Sequence, residues 1–179
     1  MKLFFLHINF EIQSTLKTLR HSIIQIGFVI VKTIYQPWKL KNPWKLEVGS
    51  LLQYPENSLG FHTGCFLLTN NFNLQPSCED HDIYHVLTGA GIGSLDEIAM
   101  QYWLMGNGKL SFPTIATVCA GAIIYPDKLK GFYQSLKNGA ATRPIHNLNH
   151  IILLGMPLEE LNQQLNLKSI HFQNSTYEN

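Results

Sequence analysis

Hydrophobic residues recur at helical spacing through most of this sequence, and strand-like alternation is scarce. After a candidate N-cap at Ser14, apolar residues follow at intervals of three and four and predict a helix to about Tyr35, before Pro37. Further helices are predicted at 59–70, 77–88, 94–105, 114–124, 127–138 and from Pro157 onwards. Outside 150–154, which is expected to be strand-like, little strand-like alternation occurs. The pattern predicts a mainly α, single-domain bundle of helices over residues 1–179.

The predicted helices at 77–88 and 94–105 are joined by a glycine-rich loop. Ser77 and Asp80 have capping-box spacing at the start of the first helix, and Gly89 is suited to end it. Ser94 and Glu97 repeat that spacing at the start of the second helix. Because a loop rich in glycine can reverse the chain, we expect a helical hairpin here.

Two histidines and two carboxylates are expected to converge on this hairpin. Since each helical residue advances about 100°, His81, Asp82 and His85 occupy one arc of about 100°. Glu97 lies twelve residues after His85, where the reversed chain can return it to the same cluster. Imidazoles one turn apart, with carboxylates, are common ligands of Zn²⁺, Fe²⁺, Mn²⁺ or Mg²⁺. Cys78 is a further candidate ligand, although a buried thiol is the commoner role.

These residues also have simpler explanations, which remain open at this point. His81 and His85 can form an exposed face or satisfied core positions, Asp82 can complement the helix dipole, and Glu97 can close its capping box. The order H-D-x-x-H is also similar to the metallopeptidase pattern H-E-x-x-H, in which the acid between the histidines is the general base. A zinc metallohydrolase is therefore a minor alternative.

Composition changes this picture in one respect, because charge is scarce. Charged residues make up 14% of the chain, against about 25% in typical soluble proteins. The net charge of +1 gives no reason to expect a nucleic-acid partner. No apolar run approaches the length of a membrane-spanning helix. The weakly charged surface suits an oligomer, such as a homodimer, or a protein that handles an apolar ligand.

The distribution of charge supports a metal site. Residues 1–45 carry a net charge of +6, whereas 46–108 contain seven acidic residues and no Lys or Arg. Five of the seven acids fall between 79 and 97, together with both histidines. Such a stretch must disperse its negative charge in solvent or recruit a cation. For the basic N-terminal third, solvation is favoured over contact with anionic lipid.

The cysteines and the start of the chain bear on localisation. Cys65, Cys78 and Cys119 lie far apart, and neither a signal-peptide nor a transit-peptide pattern is found. An odd number of unpaired thiols is typical of a reducing compartment. We therefore expect a cytoplasmic protein.

The residues around the hairpin resemble a known signature. Glu79-Asp-His-Asp-Ile-Tyr-His-Val-Leu-Thr-Gly89, followed by Leu95-Asp-Glu-Ile-Ala99, is similar to the motif of the ubiquinone (coenzyme Q) biosynthesis proteins of the COQ-four type. That motif is H-D-x-x-H, then eleven residues, then E. Segments at 55–60, 138–144 and 156–161 resemble further blocks of the family. The resemblance covers roughly residues 50–167.

The resemblance implies a divergent, bacterial-like member that is all-helical and binds a divalent metal, usually zinc. The metal-binding and catalytic positions implied are His81, Asp82, His85 and Glu97. The implied activity is that of a lyase, oxidative decarboxylation at ring carbon one of a polyprenylated 4-hydroxybenzoate, with organisation of the other quinone-biosynthesis enzymes. The implied location is peripheral, at the inner membrane surface. The alternative is a non-catalytic scaffold that binds isoprenoid lipid. In either case Tyr84, Tyr102 and Trp103 could line a lipid tunnel, although core packing is commoner for such rings.

Overall fold

Helices α1 to α8 make up most of the described chain, which comprises residues 11–12, 14–24, 26–27, 43–74 and 79–170 of a computed structural model. They are α1 Val48–Leu51, α2 Leu59–Thr69, α3 Glu79–Thr88, α4 Ser94–Gly106, α5 Phe112–Ile124, α6 Leu129–Ala141, α7 His150–Leu153 and α8 Leu158–Leu165, with a 3₁₀ turn at Pro126–Lys128. Residues 14–24 are also helical. Within the described ranges there are no strands beyond an isolated bridge between Ser58 and Pro157. The predicted mainly α bundle is confirmed.

The N-terminal parts of the helices follow simple capping chemistry. Ser58 Oγ accepts a hydrogen bond from the Phe61 N–H at 3.2 Å, and Ser111 Oγ accepts one from the Thr114 N–H at 3.4 Å. Each serine thereby satisfies a backbone donor that has no partner within its own helix. Capping serines therefore fix where α2 and α5 begin.

Two local predictions are wrong. Residues 150–154 contain helix α7, because His150 and Leu154 are both buried one helical turn apart. Ser94 and Glu97 do not form a capping box, since Gly93 occupies the N-cap position without a side-chain cap. Ser94 Oγ instead lies 2.8 Å from His21 Nδ1. The other predicted capping box pairs Ser77 with Asp80, and Ser77 lies outside the described residues. The end of the predicted N-terminal helix, at about Tyr35, also lies outside them.

Helix α4 lies at the centre of the fold and packs most extensively against α6. Every residue from Ile98 to Leu104 is buried. Gly106 of α4 and Gly139 of α6 face each other so closely that a Cβ on either would overlap a backbone carbonyl of the opposite helix. The absence of side chains at this crossing brings the two backbones into contact.

Asn107, directly after α4, completes this contact with hydrogen bonds. Its Nδ2 lies 3.1 to 3.2 Å from the carbonyl oxygens of Gly139, Thr142 and Arg143, and its Oδ1 accepts the Ile145 N–H at 2.8 Å. The buried amide therefore fixes the end of α4 to the chain that follows α6.

In the part of the chain that the structure describes, no helix combines the length and apolar character needed to cross a membrane. The assignment of residues 1–179 to one domain extends beyond the described residues and stays a prediction.

Candidate metal centre

The loop between α3 and α4 is built from glycine and local hydrogen bonds. Gly89 follows α3 with a positive φ of 71°, a conformation that glycine adopts without strain. The Ala90 N–H donates to Thr88 Oγ1 at 3.3 Å. A Cβ at Gly91 would lie 2.8 Å from Asp96 Oδ2, so this loop packs tightly against the first turn of α4. That tight turn returns the chain to the side of α3 that carries the histidines.

His81, His85 and Glu97 converge as the hairpin prediction requires. Glu97 uses both carboxylate oxygens: Oε1 lies 3.1 Å from His85 Nε2, and Oε2 lies 3.3 Å from His81 Nε2. One ligand atom from each of the three residues lies within 4.8 Å of the others, which is a separation that a single ion can bridge. The His85 side chain is 3% exposed, whereas that of His81 is 39% exposed. The cluster is therefore closed on one side and open on the other.

The protonation of His85 follows from its second contact. His85 Nδ1 lies 3.2 Å from the Ala90 carbonyl oxygen, which can only accept, so Nδ1 carries a proton. In the neutral imidazole, Nε2 then presents its lone pair toward the Glu97 oxygen. The Nε2 lone pair and the Glu97 oxygen, 3.1 Å apart, repel each other unless a proton or a metal cation lies between them. The hydrogen bond from Nδ1 to a backbone carbonyl, here that of Ala90, is the usual contact that orients a metal-binding histidine.

The charges in the cluster favour ionised partners. The partly buried site penalises a charged imidazole, but pairing with Asp82 and Glu97 outweighs this and raises the pKa of His81 from 6.5 to about 9. Burial likewise favours neutral Glu97, but its contacts with His81 and His85 lower the pKa of Glu97 from 4.5 to about 2. A carboxylate that stays ionised across the physiological range is a suitable ligand for a divalent cation.

Asp82 lies at the edge of this group rather than within it. Its Oδ1 is 4.0 Å from His81 Nδ1, beyond hydrogen-bonding distance. Its Oδ2 is buried and has no hydrogen-bond partner among the described residues. A buried carboxylate oxygen without a partner is costly unless a cation or a proton satisfies it. The donor set therefore fits a divalent metal held by two imidazoles and Glu97, with Asp82 beside it.

The remaining candidates from the sequence occupy different positions. Tyr84, Tyr102 and Trp103 are 2%, 8% and 0% exposed and belong to the hydrophobic core. Trp103 Nε1 donates to the Lys168 carbonyl oxygen at 2.7 Å, and Tyr102 stacks on Phe132. A role of these rings in lining a lipid tunnel stays a prediction. Cys78 lies outside the described residues.

Sequence reasoning missed one side chain of the site. The Phe66 ring stacks on His85 with centroids 5.0 Å apart and covers the buried imidazole. Its position on α2 at helical spacing is equally typical of a core residue, so no local signal distinguishes it. The Ala90 carbonyl was missed for a similar reason, because a backbone acceptor carries no sequence signature.

Comparisons with known proteins also single out the region of α3 and α4. The family described as Coenzyme Q (ubiquinone) biosynthesis protein Coq4 matches residues 74–171, more than half of the chain, and this range includes α3 and α4. The fold is similar to the crystal structure of a protein from Nostoc punctiforme PCC 73102 that is assigned provisionally to ubiquinone biosynthesis. The TM-score is 0.57 with 17% sequence identity, covering 82% of each chain. Comparison with curated proteins finds no match.

Proposed function

The chain belongs to the coenzyme Q (ubiquinone) biosynthesis protein Coq4 family, and on that premise we propose that it is a divalent-metal enzyme acting on a polyprenylated aromatic acid. Membership indicates involvement in ubiquinone biosynthesis. The proposed reaction is oxidative decarboxylation of a hydroxybenzoate-type ring. The observation that supports it is the convergence of His81, His85 and Glu97 within 4.8 Å.

In this proposal His81, His85 and Glu97 hold the metal, and Asp82 supports it from the edge of the site. Zn²⁺ is the first choice for two imidazoles with a carboxylate, and Mg²⁺, Fe²⁺ and Mn²⁺ are the alternatives. A divalent cation in such a site stabilises negative charge on substrate oxygens. The exposed edge of His81 marks the side from which a ring could approach.

The chain's own residues then have separate tasks. His85, stacked on Phe66 and bonded to Ala90, provides a fixed ligand, since its ring cannot rotate without losing both contacts. Asp82 is the carboxylate with an oxygen that has no partner among the described residues, and we assign it the role of accepting the substrate's phenolic proton as a general base. The carbon–carbon bond to the ring carboxylate breaks and carbon dioxide leaves. Because a ring hydroxyl replaces the carboxylate, an oxygen-donating oxidant is a required co-substrate.

The proposed setting is a peripheral position at the cytoplasmic face of a membrane, where the polyprenyl tail of the substrate resides. The proposed partners are that prenylated precursor and the other enzymes of quinone biosynthesis. A non-catalytic role, in which the chain presents isoprenoid lipid to those enzymes, makes different predictions and is separated by the experiment below.

The experiment combines metal analysis with a carbon dioxide assay. Purified protein should contain about one divalent metal per chain, and His81→Ala and Glu97→Ala should lose it while keeping their helical circular dichroism. His62→Ala, which changes an exposed histidine of α2 outside the cluster, is the matched control. With an oxygen-donating oxidant supplied, release of labelled carbon dioxide from a carboxyl-labelled polyprenylated hydroxybenzoate should follow the metal content.

Three results would change the conclusion. Full release of carbon dioxide by metal-free protein contradicts a metal enzyme. Co-purified isoprenoid lipid, without carbon dioxide release and with unaltered cellular function when the four residues are changed, favours the scaffold. Cleavage of peptides that depends on Asp82 favours the metallohydrolase.

A further inference from the structure

A second aspartate–histidine pair lies behind the helical turn that carries the metal ligands. His150 Nδ1 of α7 is 2.8 Å from Asp80 Oδ1 of α3, and the two side chains are 1% and 15% exposed. Asp80 directly precedes His81, so its side chain leaves the helix about 100° away from that ligand. The pair therefore contacts the same turn of α3 as the metal cluster, from a different direction.

The contacts of His150 determine its orientation. The carboxylate of Asp80 accepts the Nδ1 hydrogen bond, which places a proton on Nδ1. The Tyr84 ring meets the imidazole edge-on, with centroids 5.3 Å apart and an interplanar angle of 90°. His150 Nε2 is buried and has no partner among the described residues. The imidazole is thus held by Asp80 and Tyr84, both of which belong to the helix that it contacts.

Glu79, which precedes Asp80, gives the first turn of α3 a second hydrogen bond to another part of the chain. Glu79 is 5% exposed, and its Oε1 accepts the Trp44 N–H at 2.8 Å. Trp44, Asp80 and His150 also line a cavity of about 330 Å³ with the segment 147–149. The cavity interrupts the packing on that side, and the hydrogen bonds of Glu79 with the Trp44 N–H and of Asp80 with His150 attach the turn to the rest of the protein.

We propose that Asp80 and His150 are positioning residues, whose hydrogen bond sets the rotation of the first turn of α3 and hence the aim of His81 and Asp82 at the metal. This inference rests on the proposed metal centre. Ligand atoms must be placed to within about 0.5 Å and 10–20° for a site to function. Residues that orient ligands typically contribute about 10- to 100-fold in metal affinity when they are changed.

The test is a titration of the full chain with Co²⁺, followed by its visible absorption, which reports the geometry of the ligands. His150→Phe keeps a ring beside Tyr84 but removes the donor to Asp80. We expect about tenfold weaker Co²⁺ binding and an altered spectrum. His150→Asn can donate from a position near that of Nδ1, so we expect its affinity and spectrum to stay close to those of the parent. Asp127→Asn, in the exposed pair with Arg20, is the control for loss of an acid elsewhere.

A second variant addresses folding. His150→Phe removes the hydrogen bond that the Asp80 carboxylate accepts from His150, which by itself destabilises the protein. The double variant Asp80→Leu with His150→Phe replaces both polar groups by apolar ones, so it recovers stability while the attachment remains absent. Positioning predicts that the double variant keeps the weaker binding and altered spectrum. Parent-like Co²⁺ binding in the folded double variant overturns the positioning role and leaves the metal centre intact. Absence of Co²⁺ binding by the parent overturns both the metal centre and the positioning role.

Discussion

The two ends of α4 are held by different kinds of contact. At its N-terminal end, the ionised carboxylate of Glu97 lies 3.1 Å from His85 Nε2 and 3.3 Å from His81 Nε2 of the adjacent helix. At its C-terminal end, Gly106 and Asn107 contact α6 and the chain after it through close backbone packing and neutral hydrogen bonds. The first end forms the candidate site and the second anchors the scaffold.

The two ends of α4 also differ in how far apart in the sequence their contacting residues lie. The metal cluster joins residues separated by at most sixteen positions, so one hairpin is sufficient to assemble it. The crossing joins Asn107 to residues more than thirty positions away. We therefore expect changes at the crossing to affect mainly the free energy of unfolding, and changes in the cluster to affect mainly metal affinity.

The largest expected effect comes from the crossing. In Gly139→Ala, the new Cβ would overlap the Trp103 carbonyl oxygen, so α4 and α6 must separate. Overpacking of this kind costs about 1–3 kcal/mol or more, and we expect about 3 kcal/mol because the obstacle is backbone. Urea denaturation measures the loss.

The control for that prediction is Gly49→Ala, in α1. A Cβ at Gly49 meets nothing within 4 Å, so the change should leave stability unaltered or raise it slightly. If Gly139→Ala were as stable as the parent, the close crossing would not be a major source of stability.

A second prediction concerns the cluster. Binding of a metal to the folded state alone should stabilise the protein by about 2.7 kcal/mol when free metal exceeds its dissociation constant a hundredfold. Thermal unfolding with Zn²⁺ and after chelation measures this difference. Glu97→Gln should lose the gain almost completely, whereas Gly139→Ala should keep it. A gain that persists in Glu97→Gln would show that the metal stabilises the protein from another site.

A third prediction returns to the C-terminal end of α4. Asn107→Ala leaves three carbonyl oxygens and the Ile145 N–H without their side-chain partner, and should cost about 2 kcal/mol. Asn138→Ala changes a half-buried asparagine of α6, whose side chain donates an exposed hydrogen bond to the Ser169 carbonyl oxygen, and should cost much less. Equal losses in the two variants, measured by urea denaturation, would argue against a special role for the buried amide.

The comparison also explains which features could be predicted from the sequence. Helix periodicity and the spacing of His81, His85 and Glu97 are local, so they indicated both the hairpin and its ligand-bearing face. The close approach of Gly106 and Gly139 depends on two helices meeting across the fold, and neither glycine has a local signal for it. His150 was missed for the same reason, because its partner Asp80 is 70 residues away. Its segment was also expected to be strand-like, because an apolar run as short as 151–154 does not distinguish a strand from a helix.

The smallest expected effect is the pH dependence of the stability of the metal-free protein. It tests whether His81 and Glu97 form an ionised pair before metal binds. Since the pKa of His81 rises from 6.5 to about 9, its stabilising contribution is fully present below pH 6.5 and is lost as the pH rises through 9. Since the pKa of Glu97 falls from 4.5 to about 2, its contribution is present above pH 4.5 and is lost as the pH falls through 2. The pair should therefore stabilise the chelated protein most between pH 4.5 and 6.5.

The size of this effect should be below about 1 kcal/mol, because His81 is partly exposed and solvent screens such pairs. Urea denaturation of chelated protein at pH 6 and at pH 9.5, for the parent and for Glu97→Gln, isolates the contribution of the cluster. His62→Gln, on α2, is the control and should follow the parent. The parent should lose more stability than Glu97→Gln on going to the higher pH, because only the parent has a carboxylate that favours protonated His81. An equal loss in both proteins would mean that Glu97 and His81 are not coupled in the metal-free state, and that the cluster forms only around the metal.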